Sequence, residues 1–394
     1  MRRFFFYIVK YVKCIYIIYF YLGTFALKIL KFLVHPDDKL ILFISFGGRA
    51  FDDSPKVIYD RMLEDRRFQD YRLVWAFNNP DTFDIPRGEK IKCDTLSYFR
   101  HALKARVWIS NSTVERGLEF KGRNTFYFNT WHGTPIKKMG SDIDNNNKSF
   151  KGRGQWEIDY FTCQGKFEQD IFCRVFQGVN KHNAHVIGLP RNDIYSNYNV
   201  EYMLSLRMKV NIPVNKRVIL YAPTFREYEK TSNLGINISI PLNIEKWRKE
   251  LGENYILLFR AHYEVSKSLN IKNDDFIRDL SKYPRLEDLM IISDILISDY
   301  SSIFFDYSIM RKPMLAFCYD YERYSSERGM YFDIRDWLPS AKNEDELLYL
   351  IKSNKLNTFI DQTIKFQQKF VTAYGSAAKH SLDIINNELI DNKK

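Results

Sequence analysis

The sequence lacks the short motifs that mark several large enzyme classes. It has no GxxxxGK[ST] loop, which argues against a P-loop kinase or ATPase, and no HExxH zinc motif. No GxGxxG follows its first strand-like run, which argues against a nicotinamide enzyme. The five cysteines are scattered without a CxxC pair, so a reducing compartment is favoured and a structural zinc site is not expected.

Acidic residues are outnumbered by basic ones, 48 to 59, and the net charge is +11. A positive balance favours an anionic partner, such as nucleic acid, an anionic membrane or a phosphorylated substrate, without choosing among them. No nucleic-acid-binding motif is recognisable, so nucleic acid is not an expected partner. At 394 residues, with 45% hydrophobic side chains, the chain is long enough for two domains with substantial cores.

Residues 1–34 contain six basic side chains and no acidic one. The uncharged stretch from Cys14 to Leu27 is 14 residues long, shorter than the roughly 18–20 apolar residues of a spanning helix. Apolar, aromatic and basic residues together are typical of a helix lying on an anionic leaflet. A short spanning anchor and a soluble helix packed on the fold remain the alternatives.

Apolar runs of strand length alternate with helical segments along the rest of the chain. Such alternation predicts parallel sheets covered by helices, and ligands of such sheets bind at the carboxyl ends of the strands. We expect a membrane-associating helical segment at 1–36, an α/β domain at 37–205 and a second α/β domain at 206–394, which ends in a C-terminal helical region at 343–390. The predicted strands are 39–46, 72–77, 107–109, 125–128, 217–221, 255–259, 295–297 and 314–317.

Five loops at predicted strand ends carry polar chemistry. In Asn129–Pro135, His132 is placed to act as a general base, because the ordinary pKa of histidine lies near 6.5. A histidine that only hydrogen-bonds the backbone of a turn is the alternative. Arg260 and His262 follow another strand, and an arginine can bind phosphate with two nitrogens.

The remaining three loops have related chemistry. Ser301 and Ser302 stand where a helix begins, which is a setting for anion binding, and Asp306 lies about one turn later, suited to ribose or polyol hydroxyls. The other two loops, Ala222–Arg226 and Gly188–Asp193, each combine a proline turn with an arginine. Asp142, Asp144 and Asn145–Asn147 read as a polar loop rather than a cation site.

In this order, the loops resemble the CDP-glycerol glycerophosphotransferase family, whose members make teichoic acid polymers of bacterial cell walls. The ordered set is more specific than any one motif and covers residues 40–335. The matching segments are Phe46–Lys56, Thr130–Lys138, Gly188–Asp193, Leu220–Arg226, Arg260–His262, Ile297–Asp306 and Gly329–Asp333.

The resemblance implies a GT-B-like architecture of two doubly wound domains facing a central cleft. It implies transfer of glycerol phosphate or ribitol phosphate from a CDP-polyol to a membrane lipid-linked acceptor, with release of CMP and no tightly bound cofactor. His132 and His262 would be the catalytic pair. By motif match, the substrate-binding residues would be Trp131, His132, Gly133, Thr134, Pro135, Arg191, Pro223, Thr224, Arg260, His262, Ser301, Ser302 and Asp306.

The resemblance also implies a peripheral location on the cytoplasmic side of the cell membrane. The expected partners are the CDP-polyol, an acceptor of the undecaprenyl-diphosphate type and an anionic membrane surface; homo-oligomerisation is left open. Two alternatives are kept: a GT-B glycosyltransferase that uses a nucleotide sugar for a surface polysaccharide or capsule, and a non-catalytic membrane-bound scaffold.

Overall fold

The computed structural model describes residues 12–143, 156–224, 242–261, 273–353 and 355–391. The chain divides into two compact units. Unit 1 comprises Met1–His132, Met139–Asp193 and Ser376–Lys394, and unit 2 comprises Gly133–Lys138 and Ile194–Gly375.

Unit 1 is built on a seven-stranded sheet in the order β3-β2-β1-β4-β5-β6-β7, in which every pair of neighbours is parallel. Its strands are β1 (Asp37–Ile44), β2 (Arg72–Phe77), β3 (Glu89–Lys92), β4 (Ala105–Ser110), β5 (Phe126–Asn129), β6 (Tyr160–Cys163) and β7 (Ala184–Val186). Its helices are α1 (Lys13–Leu33), α2 (Asp53–Glu64), α3 (Leu96–Lys104), α4 (Lys166–Val175) and the C-terminal α13 (Ala377–Asp391).

Unit 2 has a six-stranded sheet with the same pattern of crossovers, β10-β9-β8-β11-β12-β13, again parallel throughout. Its strands are β8 (Arg217–Tyr221), β9 (Tyr255–Phe259), β10 (Ile277–Asp279), β11 (Ile295–Ser298), β12 (Met314–Phe317) and β13 (Ser340–Ala341). Its helices are α5 (Ile194–Asn197), α6 (Val200–Lys209), α7 (Ile244–Leu251), α8 (Leu286–Ile292), α9 (Ile303–Ser308), α10 (Tyr321–Arg328), α11 (Glu344–Lys352) and α12 (Leu356–Phe370).

The central strands are apolar because helices and loops cover both faces of each sheet. All six residues of β4 are buried, as are the last five of β1. Continuous hydrophobic runs of this kind are typical of parallel sheets. The predicted α/β class with parallel sheets is therefore confirmed, and the strands predicted at 72–77, 217–221, 255–259 and 314–317 have the observed bounds.

The boundary between the units lies at Asp193–Ile194. The boundary expected at residue 206 falls inside α6, which belongs whole to unit 2. The C-terminal helix α13 belongs to unit 1, where Leu382, Ile385 and Leu389 join the core. Both carboxylate oxygens of Asp193 accept hydrogen bonds from backbone N–H groups at the start of α13, at Ala377 and Ala378. The carboxylate thus satisfies N–H groups that a helix start leaves unpaired.

Both faces of helix α1 are largely apolar. One face carries the buried side chains of Tyr16, Phe20 and Leu27, and Gly23 lies against the side chain of Leu118. Along this face the Tyr19 hydroxyl donates to the carbonyl of Arg116, and the Thr24 hydroxyl accepts from the backbone N–H of Glu119. The opposite face is exposed and comprises Ile18, Tyr21, Leu22, Phe25, Ile29, Phe32 and Leu33. By length and composition alone, Cys14–Leu33 is also long enough to cross a membrane.

Candidate functional site

The carboxyl end of β5 carries His132 as the last residue of this part of unit 1. Its Nδ1 lies 2.7 Å from the backbone carbonyl oxygen of Asn111, which directly follows β4. A carbonyl oxygen only accepts hydrogen bonds, so Nδ1 carries the proton and Nε2 keeps its lone pair when the ring is neutral. The ring is thereby set in the tautomer that a general base needs.

The electrostatic setting of His132 also favours a base. Burial lowers the pKa of this histidine, and the effect exceeds the opposing influence of the Asn111 hydrogen bond and of the nearby Asp53 carboxylate. Arg191 and Arg49 lower the pKa further. At neutral pH the ring is therefore uncharged and able to accept a proton.

Trp131 forms one wall beside this histidine. Its indole stacks on the His132 imidazole, with ring centroids 4.1 Å apart, and packs on Phe176 at 4.5 Å. The backbone of Trp131 is left-handed, with φ of 50°, and its N–H donates to the side-chain oxygen of Asn129 at 2.9 Å. Strained backbone of this kind concentrates at functional sites.

Gly133 to Lys138 belong to unit 2. The segment pairs with residues 329–331: the N–H of Lys138 donates to the carbonyl of Gly329, and the N–H of Tyr331 donates to the carbonyl of Ile136. Gly133 lies so close to Ser302 that a Cβ atom would stand 2.8 Å from the serine Oγ. Thr134 and Pro135 are buried. The sequence directly after His132 is thus fixed against the loop that contains Ser301 and Ser302.

That serine loop is tied in turn to the loop after β8. The carboxylate of Asp299 accepts a hydrogen bond from the backbone N–H of Thr224 at 3.0 Å and another from the threonine hydroxyl. Ser301 and Ser302 are partly exposed, as are Pro223 and Thr224, whereas Asp306 is buried in α9. Strands β8 and β11 are neighbours on either side of the point where the strand order reverses, which is where such sheets bind ligands.

Arg260 follows β9 and stabilises a loop. One guanidinium nitrogen, Nη1, donates to three backbone carbonyl oxygens, those of Leu280, Ser281 and Tyr283, at 2.6–2.8 Å. This nitrogen thereby fixes the loop that follows β10. His262 and Arg226 lie outside the described residues, as do Asp144 and Asn145–Asn147.

Arg191 is buried in unit 1, where it forms an ion pair with Asp53. Nη1 of Arg191 lies 2.8 Å from Oδ2 of Asp53, and each side chain is only 7% exposed. Asp53 begins α2 with a left-handed backbone, φ of 66°, and its other oxygen accepts from the N–H of Ser54. The positive charge of Arg191 is therefore balanced within unit 1.

Asp53, Asn111 and Asp299 contribute to these sites although the sequence did not single them out as candidates. Asp53 and Asp299 stood inside segments that were quoted for the family resemblance, which was the available signal. Asn111 follows a short apolar strand and carried no signal, since its partners Phe46 and His132 are distant in the sequence.

Comparison with known proteins gives one consistent family. The family described as CDP-Glycerol:Poly(glycerophosphate) glycerophosphotransferase matches residues 26–383. The chain is 32% identical to the teichoic acid glycerol-phosphate transferase of Staphylococcus aureus (strain NCTC 8325 / PS 47), over 85% of this chain and 89% of that protein.

Two further relatives point the same way. The teichoic acid poly(glycerol phosphate) polymerase of Staphylococcus epidermidis is 35% identical over 76% of this chain, which spans only 43% of that protein. A solved structure of a variant of the wall teichoic acid polymerase TagF, soaked with CDPG, superposes with a TM-score of 0.83 at 31% identity, covering 91% of each chain.

Proposed function

The chain belongs to the CDP-glycerol:poly(glycerophosphate) glycerophosphotransferase family, and from that premise we propose what it transfers and where. It passes a polyol phosphate, glycerol phosphate or ribitol phosphate, from a CDP-polyol to a lipid-linked acceptor at the membrane and releases CMP. The product would be a teichoic acid or a related polymer of the cell wall or capsule. The GT-B-like arrangement of two domains that the family resemblance implies is part of the proposal.

The observation that carries the proposal is the orientation and the lowered pKa of the His132 ring. Its ring is held by the Asn111 carbonyl so that Nε2 is the free acceptor, and burial lowers its pKa. A neutral, oriented imidazole is suited to removing a proton from a hydroxyl group, an effect worth about 10²–10⁴-fold in rate. The catalytic partner proposed from the family, His262, lies outside the described residues.

The proposed reaction is a displacement at phosphorus. A primary hydroxyl oxygen of the acceptor forms a bond to the β-phosphorus of the CDP-polyol, the bond between that phosphorus and the bridging oxygen breaks, and CMP leaves with the electron pair. Nε2 of His132 takes the hydroxyl proton, and His262 supplies a proton to the departing phosphate. The hydroxyls of Thr224, Ser301 and Ser302 would bind the diphosphate oxygens, and Pro223 would line the same loop.

The remaining donor contacts rest on the family motifs. Trp131, Gly133, Thr134 and Pro135 would shape the donor site, and Asp306 would serve the polyol or ribose hydroxyls. Arg191 and Arg260 would act mainly through the field of their charges, since each already binds protein groups.

We propose that α1 holds the enzyme on the cytoplasmic surface of the cell membrane. Crossing the bilayer would separate Gly23 of α1 from the Leu118 side chain that lies against it. It would also break the hydrogen bonds of Tyr19 and Thr24. Lying in the interface instead lets the exposed face enter the acyl boundary while Lys28 and Lys31 remain near anionic headgroups.

The decisive experiment supplies purified protein on anionic vesicles with a lipid-linked acceptor and one donor at a time: CDP-glycerol, CDP-ribitol or UDP-N-acetylglucosamine. Release of CMP and a product heavier by one or more polyol phosphates is expected with a CDP-polyol. Transfer from the UDP-sugar alone would instead indicate a glycosyltransferase, and no transfer from any donor would indicate a non-catalytic scaffold. The mass of the product also separates a single transfer from polymerisation.

A further inference from the structure

Asn111, the first residue after β4, is completely buried and contacts both His132 and Phe46. Its backbone carbonyl oxygen receives the Nδ1 proton of His132 at 2.7 Å. Its side-chain oxygen receives the backbone N–H of Phe46, also at 2.7 Å. One residue therefore joins the loop after β1 to the loop after β5.

Phe46 is held in an unfavourable conformation by this contact. Its backbone is left-handed, with φ of 49°, which is uncommon for an aromatic residue. Its ring centroid lies 5.6 Å from that of His132. Since the Asn111 oxygen fixes the Phe46 backbone, the asparagine also sets where this aromatic ring lies beside the imidazole.

The neighbouring residue reinforces the same arrangement. The hydroxyl of Ser112 accepts from the N–H of Gly47 at 2.9 Å, and the Ser112 carbonyl accepts from the side-chain amide of Asn129 at 2.7 Å. Asn129 in turn orients the Trp131 backbone. Asn111 and Ser112 thus fix the backbone around both aromatic neighbours of His132, Phe46 directly and Trp131 through Asn129.

The amide of Asn111 can be oriented in only one way. Because an N–H group needs an acceptor, the atom facing Phe46 must be the amide oxygen. The amide nitrogen Nδ2 is buried, and among the described residues no protein atom pairs with it. A buried donor without a partner costs about 1–3 kcal/mol, so this position is poorly explained by folding stability alone.

We propose that Asn111 is a positioning residue for the transfer reaction, holding the His132 imidazole in the tautomer that presents Nε2 to the acceptor hydroxyl. The proposal rests on the role of His132 in the proposed function. Asn111 does not touch the reacting atoms; it acts through the histidine and through Phe46.

The test compares Asn111→Ala and Asn111→Asp with the unaltered protein. Both variants keep the backbone carbonyl that accepts from His132. The alanine removes the side-chain acceptor for the Phe46 N–H, which fixes the backbone of residue 111 and hence the position of that carbonyl, whereas the aspartate retains an oxygen there. We expect Asn111→Ala to lower kcat by about 10–100-fold, a part of the general-base effect, while KM for the CDP-polyol changes less than about twofold. Asn183→Ala is the control, because the Asn183 amide likewise anchors backbone of unit 1, by donating to the carbonyls of Ile158 and Gly178, without a hydrogen bond to His132 or Phe46 among the described residues.

Nitrogen NMR of ¹⁵N-histidine-labelled protein supplies a readout that does not depend on activity. The His132 signals, identified by their loss in His132→Ala, should show a protonated Nδ1 and a bare Nε2 in the unaltered protein and in Asn111→Asp. Asn111→Ala should show a mixture of tautomers. A tautomer unchanged in Asn111→Ala, or a loss of activity equal to that of Asn183→Ala, would overturn the proposal.

The two proposals fail in distinguishable ways. If His132→Ala retains near-normal turnover, the base assignment fails even when the tautomer depends on Asn111. If His132→Ala is inactive but Asn111→Ala has both normal kcat and a normal tautomer, only the positioning role fails. The pH dependence of kcat/KM is measured only in variants that keep Asp53, Arg191 and Arg49. These three charged groups also shift the pKa of His132.

Discussion

At the scale of single residues, the buried ion pair of Asp53 and Arg191 shows how charge is handled beside the candidate base. Both side chains are almost fully enclosed, at 7% exposure each. Removing one partner of such a pair leaves an uncompensated charge in a poorly solvated place, whereas removing both does not.

We therefore predict that Asp53→Asn and Arg191→Met each lower the free energy of unfolding by about 3–5 kcal/mol. The double variant should lose clearly less than the sum of the two, and urea denaturation of all four proteins gives the coupling. Additive losses would show that the two charges do not depend on each other.

Glu115 gives a second prediction, because burial raises the pKa of its carboxyl above the ordinary value of 4.5. In the unfolded chain the Glu115 carboxyl ionises near that value, whereas in the folded protein it keeps its proton to higher pH. The stability gained from binding this proton is therefore complete below pH 4.5 and is lost as the pH rises through the pKa of the folded protein. Glu115→Gln should be more stable than the unaltered protein at pH 7, with a smaller difference at pH 4. Thermal unfolding at both pH values checks this; a less stable glutamine variant at pH 7 would contradict it.

At the scale of elements, Gly133, which directly follows His132, lies against the serine loop of unit 2. Gly133→Ala would bring a Cβ atom to 2.8 Å from the Oγ of Ser302. Contacts this short force the backbone or the serine to shift, so we expect a several-fold rise in KM for the CDP-polyol.

The matched test adds a second substitution that removes the Ser302 side chain, which the new Cβ atom would approach. Gly133→Ala combined with Ser302→Gly should recover part of the donor affinity that the alanine loses, despite the missing hydroxyl. Steady-state kinetics of the two single variants and the double variant provide the comparison. No recovery in the double variant would place the effect in the backbone of Gly133 rather than in the serine contact.

The exposed face of α1 is expected to be functional rather than structural. Leu22→Gln combined with Phe25→Gln should abolish sedimentation with anionic vesicles and leave the melting temperature within about 2 °C, since both side chains are already exposed. Tyr349→Gln is the control, because this residue is equally exposed on α11. Retained vesicle binding in the α1 variant would contradict the proposed placement.

Sequence patterns predicted the long apolar strands of both sheets because a strand buried on both faces leaves a continuous hydrophobic run. They missed β3, β6, β7, β10 and β13, each of which is four residues long or shorter. Two of these, β3 and β7, also carry polar residues, such as Glu89 and His185, at the sheet margins. The C-terminal region predicted as helix is three helices. Only α13 returns to unit 1, where it is capped by Asp193. That return depends on a contact between distant residues, which no local pattern records.

At the scale of the whole molecule, the candidate site residues divide between two units of similar topology. Trp131, His132 and Arg191 belong to unit 1, and the other described candidates belong to unit 2. The sequence predicted the loops because glycine, proline, serine and histidine stand where strands end. It did not predict the partners of Arg191 or Arg260, because those are chosen by the fold.

The measurement that tests the central claim most directly is the pH dependence of CMP release by the unaltered protein and by His132→Ala. The exposed His380 provides the control variant, His380→Ala. Because burial lowers the pKa of His132 below 6.5, activity should fall with decreasing pH only below that value, as the base becomes protonated. His132→Ala should lose about 10²–10⁴-fold in kcat together with this acid limb, and His380→Ala should retain both. Near-normal turnover and an unchanged acid limb in His132→Ala would contradict the account.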